Sequence, residues 1–206
     1  MKAKKDGVSL FLSIVTHAAA IITILCLLFI IAYILIRGIP NLTPSLFEWE
    51  YTTDNVSMMP SIINTIIVVI LTLLIAGPIG IFSAIYLVEY AKRGSKLVKV
   101  ILLTTETLSG IPSIVYGLFG SLMFVISMGM GLSLFAGSLT LAIMVLPTIM
   151  RTTQEALVAV PDSYREGSFG LGAGKLRTIF RIILPSAVPG IMSGIVLSMG
   201  RIVGET

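Results

Sequence analysis

Arg201 and Glu205 lie four residues apart, near the end of an apolar run that begins after Pro189. In a helix that spacing puts both side chains on one face. Arg201 is about 12 residues past Pro189, or about 18 Å along a helix at 1.5 Å per residue, which is deep in a bilayer. A charge at that depth costs about 2.5–3.5 kcal/mol on insertion scales, and such groups face a protein interior or a pathway. A guanidinium fork can hold two oxygens of a tetrahedral oxyanion at once. The plainer alternative is a pair that only neutralises itself, although Arg before Glu is the less favourable order along the helix dipole. Arg151, four residues after Pro147, reads from its place in the sequence as an interfacial anchor. Glu106 reads either as an interfacial carboxylate or as a partner for one of these arginines. Glu89, beside Lys92 and Arg93, reads as interfacial.

A second constellation is polar and rich in small residues: Glu166, Gly167 and Ser168, then Gly172, then Ile182, Leu184 and Pro185. Pro161 and Asp162 suit a helix start there, and Ser163-x-x-Glu166 has capping-box spacing. Gly170, Gly172 and Gly174 then supply turn positions. From Lys175 an apolar stripe resumes at Leu176, Ile179, Phe180 and Ile183, and Lys175, Arg177 and Arg181 avoid it, so an amphipathic helix is expected. Pro185 and Pro189 are expected to end or bend it. The run "GLGAGK" imitates a phosphate-binding loop, but that pattern needs Gly at 169 and Ser or Thr at 176, where the chain has Phe169 and Leu176. The chain therefore has no such loop with which to hydrolyse a nucleotide. A single cysteine, Cys26, and a single histidine, His17, exclude an internal disulfide and a thiol or imidazole metal cluster.

The elements that must position these residues are membrane spans. Of 206 residues, 56% are hydrophobic and 12% charged, too apolar for a soluble domain and suited to lipid rather than nucleic acid. Five apolar segments are long enough to cross. They cover roughly 18–36, 62–88 with a break at Gly77-Pro78, 100–127 with a break at Gly110-Ile111-Pro112, 134–150, and the run after Pro189. The basic start resembles a signal peptide, but the apolar run is too long, so the first helix reads as uncleaved. Twelve of the fourteen Lys and Arg residues fall on one side: Lys2, Lys4, Lys5, Lys92, Arg93, Lys96, Lys99, Arg151, Arg165, Lys175, Arg177 and Arg181. The other side has Arg37, with Glu48, Glu50 and Asp54. The positive-inside rule makes the N-terminus and the 151–188 loop cytoplasmic. Trp49 and Tyr51 fit an interfacial anchor outside. The glycines from Gly117 to Gly131 suit close helix packing. Prolines 78 and 112 either sit where neighbours satisfy the freed carbonyls or line a pathway.

The 166–185 stretch resembles the EAA loop of ABC importer permeases: EAA, three residues, Gly, nine residues, then I-x-Leu-Pro. Here Gly167 and Ser168 replace the two alanines. "RGIP" at Arg37, "IYLVEYA" at Ile85, "GIPSIVYGLFG" at Gly110, "LPTIMRTTQEAL" at Leu146 and "GRIVGET" at Gly200 extend the likeness to permeases of phosphate import, the A-type in particular. The resemblance implies an all-α polytopic transmembrane bundle forming one transmembrane domain over 1–206. It implies a coupling loop over 151–188, with a short helix docking on a separate ATPase subunit, where small residues allow close approach. It also implies a pathway role for Arg151. The chain itself would bind no cofactor; ATP and Mg would sit on the ATPase. The implied partners are an ATPase dimer, a second homologous permease, an extracytoplasmic phosphate-binding protein and membrane lipid, in a prokaryotic inner membrane. Such permeases continue into a sixth helix, so an extension past Thr206 is expected. Three alternatives stay open: a molybdate or sulfate permease, the sister C-type phosphate permease, and an ATPase-independent secondary transporter.

Overall fold

The structure, a computed structural model, describes residues 7–206 except Asp54 and Arg93. Lys2, Lys4, Lys5, Asp54 and Arg93, used above to assign sidedness, lie outside the described residues. The chain divides into two compact units, Met1–Pro60 and Ser61–Thr206.

The first unit contains helix α1 (Gly7–Gly38), which buries none of its residues. It extends well before the apolar run from Ala18, because Val8, Leu10, Phe11 and Leu12 are equally compatible with helix. A short polar loop follows. Asn55 ties it together, donating to the Glu48 carboxylate and the Glu50 carbonyl at 2.8 Å each. The Ser57 hydroxyl, which is buried, donates to the Glu48 carbonyl. Trp49 and Tyr51 are left exposed, as an interfacial anchor requires.

In the second unit, α2 (Met59–Ile85) continues into a π turn at Tyr86–Tyr90. Helix α3 (Lys96–Ser109) meets α4 (Ser113–Gly120) at a bend of 102°, and α4 runs into a second π turn at Ser121–Ser127. Then come α5 (Leu134–Val158), the short α6 (Asp162–Gly170) and α7 (Lys175–Thr178). A third π turn at Ile179–Ile183 leads into α8 (Leu184–Glu205). Four helical stretches are long and apolar enough to cross a membrane: Gly7–Asn41, Met59–Tyr90, Leu134–Val158 and Lys175–Glu205; the bent α3–α4 pair makes up to five. The chain is an all-α, multi-pass membrane protein.

Several boundaries differ from the sequence reading. Pro78 does not break α2, which runs through it; Pro147 and Pro189 are likewise inside helices. Pro185 does not end a helix either, since helical structure is continuous from Lys175 to Glu205. A proline removes one donor, and in lipid neighbouring helices can satisfy the freed carbonyl without a break. The break at Gly110–Pro112 does occur, and there the buried Tyr116 hydroxyl donates to the Leu108 carbonyl across the bend at 2.8 Å. Helix α5 ends at Val158, so Arg151 lies inside it and not at the start of a loop.

Packing centres on α5 against α8. Lipid tails are as apolar as leucine, so close van der Waals approach of small residues holds such helices together. A Cβ built on Gly190 would be 2.6 Å from the Ala156 Cβ, and one on Gly194 would overlap the Thr152 side chain. The antiparallel register is thus 156 with 190 and 152 with 194. Two apolar clusters flank this seam. One has Ala84, Leu87, Leu157, Val160, Ile179 and Ile183 near α6; the other has Val69, Tyr116, Val145, Ile149 and Ile202 further along.

Candidate functional site

Two groups of candidates fall in two places. The first is the elbow joining α5 to α8. Pro161 occupies the position before α6 and Asp162 its first turn, where a carboxylate complements the helix dipole. The Ser163–Glu166 capping box does not form: Ser163 is already helical and no side chain caps the start. The C-terminal end is closed by a Schellman turn. The Ala173 amide donates to the Ser168 carbonyl at 3.1 Å and the Gly172 amide to the Phe169 carbonyl at 2.9 Å. Gly172 therefore takes φ +80°, a conformation that glycine alone adopts without penalty.

The three residues at the EAA positions separate. Glu166 and Gly167 are exposed on α6, and nothing lies within 4 Å of where a Cβ on Gly167 would stand. Ser168 is buried instead, its hydroxyl 2.8 Å from that of Thr178. Thr178 also reaches the Gly174 carbonyl at 3.3 Å, and when it donates there Ser168 supplies the proton between the two hydroxyls. Ile182 and Leu184 are half-buried and Pro185 is exposed. In the expected stripe, Ile179 and Ile183 are buried while Leu176 and Phe180 face outward.

The residue that organises this elbow is Arg165, which the sequence reading counted only as a charge. Its Nε and Nη2 converge on the Glu89 Oε1 at 3.1 and 2.8 Å. Nη1 donates to the Val160 carbonyl at 2.9 Å and the Asp162 carboxylate at 3.1 Å, and Nη2 to the Leu157 carbonyl at 3.0 Å. The Arg165 and Glu89 side chains are only 16% and 9% exposed, so Glu89 is held inside the protein against Arg165. A separation of 76 residues leaves no local signal for this pair; an acid at the end of an apolar run is the one hint. Lys175 adds a second link, its Nζ 4.7 Å from the centre of the Tyr90 ring.

The second place is further along α8. Extending the 156–190 and 152–194 register brings Arg201 level with about Val145, near the middle of α5, and Ile202 packs in the same cluster as Val145. Arg201 is half-buried and Glu205 exposed. They form no ion pair with each other; the ion pairs among the described residues are Arg151–Glu155, Arg165–Glu89 and Arg165–Asp162. Arg151 is exposed and pairs with Glu155 at 3.1 Å, one turn along α5. In the same register it is level with about Ile195, roughly 9 Å along the axis from Arg201 at 1.5 Å per residue. Glu106 is exposed and pairs with no arginine among the described residues. An open cleft of about 560 Å³ between α4, α5 and α8 is lined by Ser113, Tyr116, Ser121, Thr140 and Glu205 among others. No group of acids, cysteines and histidines able to hold a metal occurs among the described residues.

The chain belongs to the family of inner-membrane components of binding-protein-dependent transport systems, which residues 76–206 match. It is 34% identical over 195 residues to the phosphate transport system permease protein PstA of Mycobacterium leprae, covering 90% of this chain and 62% of that protein. It is 44% identical over 132 residues to PstA 1 of Mycobacterium tuberculosis (H37Rv), covering 64% of this chain and 42% of that protein. It is 35% identical over 193 residues to the probable ABC transporter permease protein YqgI of Bacillus subtilis, covering 91% of this chain and 64% of that protein. The chain thus spans between about two fifths and just under two thirds of these relatives.

Proposed function

We propose that the chain forms half of the membrane pathway of an ATP-driven phosphate importer and passes the motion of a separate ATPase to that pathway through α6. Phosphate is the substrate named for relatives on both sides of 40% identity. The observation that carries the coupling role is the two-faced α6. Ser168 and Arg165 fasten one side to the chain's own helices, while Glu166 and Gly167 stand clear on the other. A firmly backed helix whose outer side offers Gly167 beside exposed Tyr164 and Phe169 is what a docking groove can push. ATP and Mg then belong to the ATPase pair, and an extracytoplasmic binding protein delivers the anion to this chain and a second permease. The elbow and the N-terminus lie on the cytoplasmic side of a prokaryotic inner membrane, in keeping with the positive residues that cluster there. Arg201, near mid-height of α5 and without a carboxylate partner among the described residues, is the charge that offsets the anion in transit. Glu205 and Arg151 flank it at the two sides.

Gly167→Arg tests the docking role. Gly167 has helical geometry and open space, so the variant adds bulk outside without strain inside. It is expected to insert and accumulate normally, to lose co-purification with the ATPase and to abolish uptake of labelled phosphate. Normal assembly and uptake in that variant would overturn the reading.

A further inference from the structure

We propose that Arg165 is a positioning residue that fastens α6 to the end of the second span, so that displacement of α6 is delivered to α2 as well as to α8. This rests on α6 being the element an ATPase moves. By chain connection α6 reaches only α5, through Ala159–Pro161, and α7, through the Schellman turn. Nothing in the backbone ties it to α2. The tie is made by a side chain, Arg165 on Glu89, and Lys175 of the adjoining α7 lands on the neighbouring residue of the same turn, Tyr90.

That turn is the π turn Tyr86–Tyr90, closed by the Ala91 amide donating to the Tyr86 carbonyl at 2.9 Å. Within it the Glu89 side chain is 9% exposed, and π turns are frequent at functional positions. The Arg165–Glu89 pair is nearly sealed from solvent, so counterions screen it little. Only a guanidinium can serve Glu89 and the Leu157 and Val160 carbonyls at once, because its donors leave a rigid plane in several directions; a lysine offers one point. The bonds to Leu157 and Val160 finish the end of α5, which is scaffolding. The bond to Glu89 crosses to another span and finishes nothing local. α6 therefore cannot pivot on its two chain connections without carrying the π turn of α2 or breaking this pair.

The test uses the whole transporter in proteoliposomes, with ATPase, partner permease and binding protein present. ATP hydrolysis stimulated by the binding protein and uptake of labelled phosphate are read in the same vesicles. The variants are Glu89→Gln and the double Glu89→Gln/Arg165→Gln, which removes the buried cation that the single change leaves unpaired. Asp162→Asn is the control, since Asp162 also pairs with Arg165 but is exposed. Both Glu89 variants are expected to keep hydrolysis within about twofold of wild type while phosphate taken up per ATP falls about tenfold, the scale of a coupling between two sites. Asp162→Asn is expected to leave that ratio unchanged. An unchanged ratio in the Glu89 variants, a proportional fall of hydrolysis and uptake, or failure of the double variant to assemble would each make the pair mere scaffold and overturn the proposal. If the wild-type chain itself neither binds the ATPase nor alters its hydrolysis, the coupling reading falls instead. That arm contains no variant, so the two failures are told apart.

Discussion

Gly190→Ala, alone and with Ala156→Gly, measures how tightly α5 and α8 are joined. The new methyl would stand 2.6 Å from the Ala156 Cβ, where ordinary carbon contacts begin at about 3.5 Å. The helices must part by roughly 1 Å, and overpacking of this kind costs about 1–3 kcal/mol. Alanine regains about 1 kcal/mol of helix propensity over glycine, leaving a net loss of about 1 kcal/mol. Ala156→Gly alone loses about 1 kcal/mol by propensity. In the double variant the propensity changes cancel. The clash also goes, because the next atom that the Gly190 methyl meets is the Ala156 Cα at 3.4 Å. The double variant should therefore be close to wild type, a coupling of about 2 kcal/mol between the two sites, within the range seen for touching residues. Reversible unfolding in mixed micelles under a denaturing-detergent titration reads all four proteins. Additive losses, with the double variant about 2 kcal/mol below wild type, would refute a direct methyl-for-hydrogen fit at this seam.

Gly172→Ala, at φ +80°, should destabilise the elbow by about 1–2 kcal/mol, read as faster limited proteolysis between α6 and α7, with Gly172→Asn milder. Tyr116→Phe removes the bond to the Leu108 carbonyl at the 102° bend and should cost about 1 kcal/mol in the same unfolding titration, with a broader distance distribution between spin labels on α3 and α4. Arg201→Gln should nearly abolish phosphate uptake while subunit assembly persists, as co-purification reports. Because Arg201 and Glu205 are not paired, Glu205→Gln should be the milder change and the double Gln variant should not restore uptake.

Apolar run length was enough to read four of the five spans, the 100–127 segment being a pair of helices bent by 102°, and glycine spacing was enough to read the turn at Gly172. Prolines misled: Pro78, Pro185 and Pro189 look like breaks, yet each is absorbed within a long helix. The buried side of the last helix was half legible. A stripe at Leu176, Ile179, Phe180 and Ile183 follows the 3.6-residue period, but the observed burial runs Ile179, Ile183, Ala187, Ile191 in steps of four. Leu176 and Phe180 lie off that line, and the π turn at Ile179–Ile183 widens the winding where the stripe was read. Of the EAA positions, Ser168 has the small size expected but spends it on an internal hydroxyl pair. Glu89 and Arg165 were out of reach, since no periodicity links residues that only tertiary folding brings together.

The glycine seam between α5 and α8 also bears on electrical insulation. A membrane at 100 mV pushes each elementary charge with about 2.3 kcal/mol, so any continuous thread of water between two spans would leak protons. At Gly190 and Gly194 the α8 backbone lies so close to Ala156 and Thr152 that not even a bonded methyl group fits, and a water molecule, which needs non-bonded clearance from both helices, would need a wider gap. The hydroxyl of Thr152, the polar group nearest the seam, is turned back onto the carbonyls of Thr148 and Ile149 and offers water no foothold. The seam is thus a gasket. An ion or water column has no room between α5 and α8 at these two positions, so the close approach that packs the helices also helps to keep the membrane charged.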